Sequence, residues 1–406
     1  MHRPRISIVA GPVLWIAAAA AAADVQVRIL TRDGSWTDGA LRTADAEAWT
    51  LFARDGRGGE RRIATSEIVA FTAGRAGEEP NPPSPISAGL IELNTGERLP
   101  GNLRNMGSAG NFWDHRWIGA VPIALEDLAV LRVRGATAPD RRADGDTLQL
   151  LNGDILVGFV DSVGESVVFE ETGDAREKRS ISMDRMAAIA FASIDRPTIE
   201  HARIWTLDGS VVDGKDLRFD ESDGWGFTLA NPRLAAVRAK RTSDNAAANP
   251  VAAVFAIADV VPIAALGRPA VSVPSGQFHY GYEDAVRIAP PDRAMLGLST
   301  IEIDGPLELR FAQPASKAGG GRSVMTLEIA LREPFPSDAR VGVEVRIGSA
   351  TSGRVQLDAS TPVVPIRLEA APATGGLLEI RIDDGGNGPV GDVVEVRRAC
   401  IVTPRQ

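Results

Sequence analysis

The chain has 406 residues, 44% hydrophobic and 24% charged, with a net charge of −9 at pH 7. There is ample apolar material for several cores, and the sign of the charge disfavours phosphate backbones and anionic membrane surfaces as partners. A single cysteine, Cys400, excludes an intrachain disulfide and argues against a cysteine-ligated metal.

Residues 1–23 read as a signal peptide. MHRPR is a basic start, Ile6 to Ala23 is uncharged and apolar, and the alanine run offers Ala-x-Ala cleavage before Asp24. The protein is therefore expected to be exported, periplasmic or extracellular, with no membrane span after cleavage. A retained N-terminal anchor is the alternative reading of the same stretch.

The next two hundred or so residues are repetitive. A glycine pair spaced five residues apart occurs four times, as Gly34/Gly39, Gly96/Gly101, Gly153/Gly158 and Gly209/Gly214. An aliphatic residue (Ile29, Ile91, Leu148, Ile204) precedes each first glycine by five positions. Apolar closures follow, at Ile63/Ile68/Phe71, Ile123/Leu128/Leu131, Ile181/Met186/Ile189 and Phe255/Val260/Ile263. Such self-similarity marks a repeat protein. Breaks rich in Pro, Gly and charge divide it into modules 24–75, 88–136, 145–194 and 200–266.

Within each module, alternation such as Val25/Val27/Ile29 suits a half-buried strand, and the first glycine suits a turn needing positive φ. The second glycine is expected at a bend or bulge. The polar interruption of the closure (Thr65-Ser66-Glu67, for instance) predicts a short helical turn between two strands. About fifty residues of this kind make a small five-stranded barrel. The segment L-x-x-G-x-x-x-x-G resembles the opening of Sm-like and SH3-like barrels. The fourth module carries 230–250 as an excess, which reads as an inserted surface loop.

From 270 to 406 the glycine pair disappears and alternation dominates, as in Leu307/Leu309/Phe311, Val341/Val343/Val345/Ile347 and Leu378/Ile380/Ile382. Many short strands with Pro/Gly turns predict an antiparallel β-sandwich. The whole is thus expected to be all-β: four tandem small β-barrel modules followed by a sandwich. The segments LGLSTIEIDGPLELRF (296–311) and GRVQLDAS…EVRRACIV (353–402) resemble the opening and ending of the NPCBM domain, a carbohydrate-binding module found beside bacterial glycoside hydrolases. The matched positions of the ending are Leu378, Ile380 and Ile382, then Asp383 to Gly388, Asp392 and Ala399. This resemblance implies a galactose-binding-like jelly roll and a glycan partner, and the whole order of parts resembles exported planctomycete-type proteins. Val393-Val394 stand where the family carries a tryptophan, and all seven tryptophans precede the sandwich.

Three constellations are candidate sites. Asp383, Asp384 and Asn387 with Asp392 could hydrogen-bond a sugar or, for the first three, hold calcium; a solvated turn explains the same composition. Tyr280 and Tyr282 could stack on a sugar or pack the last barrel against the sandwich. Trp113, Arg116 and Trp117 are candidates for a protein-interaction surface, with a buried barrel wall as the alternative. No catalytic or phosphate-binding motif is present, so no enzyme and no obligatory cofactor is expected. The expected function is exported, non-catalytic glycan binding with the barrels as spacer or docking modules. A structural or assembly protein of the bacterial envelope, acting through protein contacts, is the alternative; nucleic-acid binding through Sm-like barrels conflicts with export and negative charge and ranks last.

Overall fold

The computed structural model describes residues 25–53, 59–74, 89–105, 110–133, 139, 142, 144–172, 177–192, 202–206, 208–220, 224–240, 251–256, 260–266, 269–275, 277, 285–288, 301–312, 322–370, 377–386 and 393–403. Residues 1–23, read above as a signal peptide, lie outside these residues.

The first module is β1 (Val25–Thr31), β2 (Trp36–Ala44), β3 (Ala48–Ala53), β4 (Glu60–Ala64) and β5 (Ile68–Gly74). Each strand pairs antiparallel with the next as far as β4, and β5 returns to β1 with Phe71 opposite Ile29. The expected helical turn is a 3-10 turn at Thr65–Glu67. The second module repeats the plan in β6 (Gly89–Leu93), β7 (Arg98–Asn105), β8 (Asn111–His115), β9 (Gly119–Pro122) and β10 (Leu128–Arg132). So does the third, in β11 (Asp146–Leu150), β12 (Ile155–Val163), β13 (Ser166–Glu171), β14 (Lys178–Ser182) and β15 (Met186–Ala190).

The two glycines of each pair do different jobs. Gly34, Gly96, Gly153 and Gly209 have φ between +80 and +91°, the left-handed turn conformation. The second glycines are not bulges: the register breaks fall downstream, between Leu41 and Thr43 and between Val160 and Ser162. They lie where a neighbouring chain crosses too closely for a side chain. A Cβ on Gly101 would sit 2.6 Å from Trp113 Nε1, and one on Gly158 would sit 2.6 Å from Phe169 Cζ.

The fourth module departs from the plan. After β16 (Ala202–Thr206), β17 (Val211–Asp220) and β18 (Gly224–Leu229) comes α1 (Pro232–Lys240), then β19 (Val251–Ala256). The start of the expected inserted loop is thus a helix, and its Leu234 is 1% exposed within the barrel core. Its signal was in the sequence: Asn231 caps the amides of Arg233 and Leu234 at 3.1 and 3.4 Å, with proline at the first helical position. The rest of that loop, 241–250, lies outside the described residues. The closing strand is β19, with Val254 opposite Ile204 as Phe71 is opposite Ile29. Val260 and Ile263 therefore do not close this module. Val260 opens β20 (Val260–Pro262), which pairs with the last strand of the sandwich, and Ile263 is buried in the sandwich core.

The four modules are not separate beads. All nineteen strands β1–β19 belong to one hydrogen-bonded system. The closing strands pair with one another, β5 with β19 and β10 with β15, so the first barrel joins the fourth and the second joins the third. Buried side chains of all four form one connected cluster.

The sandwich is antiparallel. One sheet runs β22 (Val286–Ile288), β23 (Ile301–Asp304), β30 (Val393–Val402), β25 (Ser323–Leu331), β28 (Val363–Ala370), with β20 also on β30. The other runs β21 (Ala270–Ser272), β24 (Glu308–Ala312), β29 (Leu377–Asp383), β26 (Arg340–Ile347), β27 (Ala350–Asp358). Alternate residues of both sheets fill the core, among them Leu309, Phe311, Met325, Val343, Ile380 and Val396. A further apolar cluster ties barrels to sandwich: Leu30, Val69 and Ala70 meet Val260, Val324, Cys400 and Val402, with Trp36 and Trp205 packed alongside. Arg367 Nε donates to Asp33 O across the same junction at 2.7 Å.

Cys400 is fully buried there, and burial pushes its thiol up to about 12. We expect no labelling of Cys400 by Ellman's reagent in the folded protein at pH 8, and reaction only as denaturant opens the junction. Prompt labelling of native protein would mean that barrels and sandwich separate readily.

Candidate functional site

The outer face of the β21–β27 sheet carries charged side chains in register. Glu308 on β24, Arg381 on β29, Glu344 on β26 and Arg354 on β27 lie directly opposite one another across four strands. Arg310, Glu379 and Arg346 form the next row. Each acid faces a base in its own row and the next: Arg310 Nη2 is 2.6 Å from Glu308 and its Nε 3.2 Å from Glu379, while Arg346 Nη2 donates to Glu344 at 2.7 Å. Cross-strand pairing of opposite charge favours this register. The bonds from Arg346 hold Glu344 below its ordinary range, outweighing its partial burial.

At one end the face sinks into a cleft of ≈490 Å³ lined by Gln277, Glu344, Arg354, Arg381, Asp383, Asp384, Gly385 and Gly386. Gly342 lies beneath the Asp383–Arg354 pair and leaves room for it, since a Cβ there would meet the Asp383 carboxylate and stand 2.6 Å from Arg354 Nε. Asp383 Oδ1 accepts from Arg354 Nη2 at 2.7 Å and from Gly385 N at 3.0 Å. Burial alone would raise Asp383; these bonds and the guanidinium charge outweigh it and hold the carboxyl below its ordinary range. Asp384 Oδ1 accepts from Gly386 N at 3.1 Å and from Gln277 Nε2 at 3.5 Å.

Of the three residues expected to hold calcium, Asp383 and Asp384 are described. The Arg354 guanidinium already stands against Asp383 where a cation would sit. Among the described residues no group of three or more His, Cys, Asp or Glu could hold a metal ion. Asn387, Asp392, Tyr280 and Tyr282 lie outside the described residues. Gln277, Glu344, Arg354 and Arg381 were missed in the sequence. Each is a polar residue on or beside a strand, and only the strand order, which no local pattern encodes, makes them neighbours.

No protein-family model matches the chain, and no curated protein is similar to it. Solved structures to which it is similar include carbohydrate-binding modules and catalytic domains of carbohydrate-active enzymes. A CBM51 from Clostridium perfringens GH95, in complex with methyl-galactose, is 12% identical over 35% of this chain and 99% of its own, with a TM-score of 0.27. CBM51-2 with INT domains of Clostridium perfringens ZmpB, in complex with GlcNAc, is 12% identical over 35% of this chain, which spans only 31% of that one, at 0.25. The tandem CBM51 modules of a family 98 glycoside hydrolase from Streptococcus pneumoniae are 8% identical over 93% of this chain and 88% of theirs, at 0.27. At these scores the architecture rests on this chain's own strand pairing.

The aromatic cluster of the second barrel is not the expected surface. Trp113 is 0% exposed and its Nε1 donates to Leu99 O at 2.9 Å, which makes it the centre of that barrel's core. Trp117 is half-buried, edge-on to His115 and to Phe227 of the fourth barrel, with centroids 5.1 and 6.1 Å away. Only Arg116 of the three is exposed. Beside them, His115 Nε2 lies 2.9 Å from Ser210 Oγ, which bonds Asp208 at 2.7 Å. The residue types are those of a hydrolytic triad, but the order is not. His115 Nδ1 accepts the Ile118 amide at 3.2 Å, leaving the proton on Nε2, so the imidazole donates to serine rather than deprotonating it. His115 and Ser210 are buried, and the trio acts as a junction between barrels.

Proposed function

We propose that the chain is an exported, non-catalytic carbohydrate-binding protein whose sandwich holds a polysaccharide on its charged face. The observation that supports this most is the register of Glu308, Arg381, Glu344 and Arg354 beside the cleft that Asp383 and Asp384 line. Paired acids and bases offer fixed donors and acceptors at the spacing of neighbouring strands, without net charge in the row, which suits a polyhydroxylated ligand. The resemblance of 296–311 and 353–402 to the NPCBM domain points the same way. Asp383 and Asp384 line this site.

The test is a glycan array with the intact protein. A fragment starting at 270 would lose β20 and Ile263, both part of the sandwich. One sugar class should bind saturably, and Arg381→Ala should weaken it about tenfold with the thermal midpoint unchanged, because the exposed Arg381 is not the arginine that holds Asp383. No binding by folded protein would remove the reading. A specific observation then favours the envelope-assembly reading: Leu151, Ile155 and Phe159 of the third barrel are 48, 59 and 51% exposed.

A further inference from the structure

One buried carboxylate belongs to neither function above. The residue after the turn glycine is Ser35, Asp154 and Ser210 in three repeats, and Glu97 in the second. The longer side chain is 0% exposed. Its Oε2 accepts from Asn231 Nδ2 at 2.6 Å and from Thr95 Oγ1 at 3.0 Å; among the described residues its Oε1 accepts only from Asp213 N, at 3.3 Å. Glu97 lines a cleft of ≈470 Å³ between the second and fourth barrels. The walls are Ile91, Leu93, Val121 and Leu128 on one side and Leu234 of α1 on the other.

The nearby cations are committed elsewhere. Arg203 makes bonds of 3.0 and 3.3 Å to Asp213 and one of 2.8 Å to Thr95 O, and Arg233 pairs with Asp127 at the mouth. Among the described residues no cation pairs with Glu97. Burial first, and Asp213 second, raise its carboxyl above the ordinary range, against the bonds from Asn231 and the Asp213 amide. Such a carboxylate is costly to bury without a counter-charge.

We propose that this cleft binds a small organic cation with an apolar body, an alkylammonium in the simplest case, its nitrogen donating to Glu97 and its hydrocarbon part lying against Val121 and Leu234. The three donors hold the carboxylate in place, and Oε1 keeps a free lone pair. The volume is that of a small-molecule site, and the apolar walls leave Glu97 to select by charge.

Hexylammonium, 1-hexanol and hexanoate, titrated calorimetrically into the intact protein, separate charge from apolar fit. Hexylammonium should bind at least about tenfold more tightly than hexanol, and hexanoate not at all. Glu97→Gln should remove the preference while leaving hexanol unchanged. Ala124→Trp, at the half-buried mouth, should block both ligands with Glu97 and its partners intact. Equal binding of the ammonium and the alcohol, no binding of either, or hexylammonium binding that survives Ala124→Trp would overturn the proposal. All three outcomes can be read even if Glu97→Gln fails to fold.

Discussion

Replacing Phe71 with alanine should destabilise the first and fourth barrels together, by about 3–5 kcal/mol. Phe71 is 1% exposed. Its ring lies edge-on to Trp49 of its own barrel at 4.7 Å and stacks on Trp225 of the fourth at 4.9 Å. Trp225 in turn contacts Phe219 at 5.0 Å. The backbone bearing Phe71 is shared as well, since β5 pairs with β1 on one side and with β19 on the other. The cavity left by the ring would therefore open into both cores. Hydrogen exchange should accelerate in β16–β19 as much as in β1–β5. Faster exchange confined to β1–β5 would show that the fourth barrel stands alone. Phe169→Ala is the matched control, a fully buried ring within the third barrel whose loss should leave the first and fourth unchanged.

The second large effect separates the two glycines of a repeat. Gly153 has φ +91° and open space around its Cβ position, so Gly153→Ala should cost about 1–2 kcal/mol of backbone strain. Gly158 has no positive φ, yet its Cβ would overlap the Glu170 carbonyl oxygen as well as the Phe169 ring. A backbone carbonyl cannot swing aside as a lysine tip would. Gly158→Ala should therefore cost more, about 3 kcal/mol, as overpacking does in a tight core. Equal falls in thermal midpoint for the two variants would mean that crossing distance does not govern the second position.

Much of the local structure is legible in the chain. The turn glycines, the 3-10 interruption after Ile63, Ile123 and Ile181, and the strand alternation of the sandwich follow from spacing alone. What spacing cannot give is adjacency. Phe255, Val260 and Ile263 match the closing signature by residue type, but hydrogen bonding assigns Val254 and Val260 to different domains. Trp113 and Trp117 are near neighbours in sequence, yet one is core and the other touches a different barrel. The carboxylates at 383 and 384 were visible as a turn, while the arginine partner of Asp383 comes from a strand that is distant in sequence. The α1 helix was legible through Asn231-Pro232 and was masked by the expectation that an excess over the repeat is a loop.

The pairing of closing strands is nested: barrels two and three join inside the span that separates one from four. A chain emerging from its N-terminus completes the inner pair while β5 still shows one bare edge. That edge belongs to a strand with three near-copies, β10, β15 and β19. Two of them appear before the correct one, and in a crowded solution all are offered by neighbouring chains. Unpaired edges are where wrong partners are taken. Barrel exchange between copies, rather than unfolding of any single barrel, is the error to which this repeat order exposes the protein while it is being made.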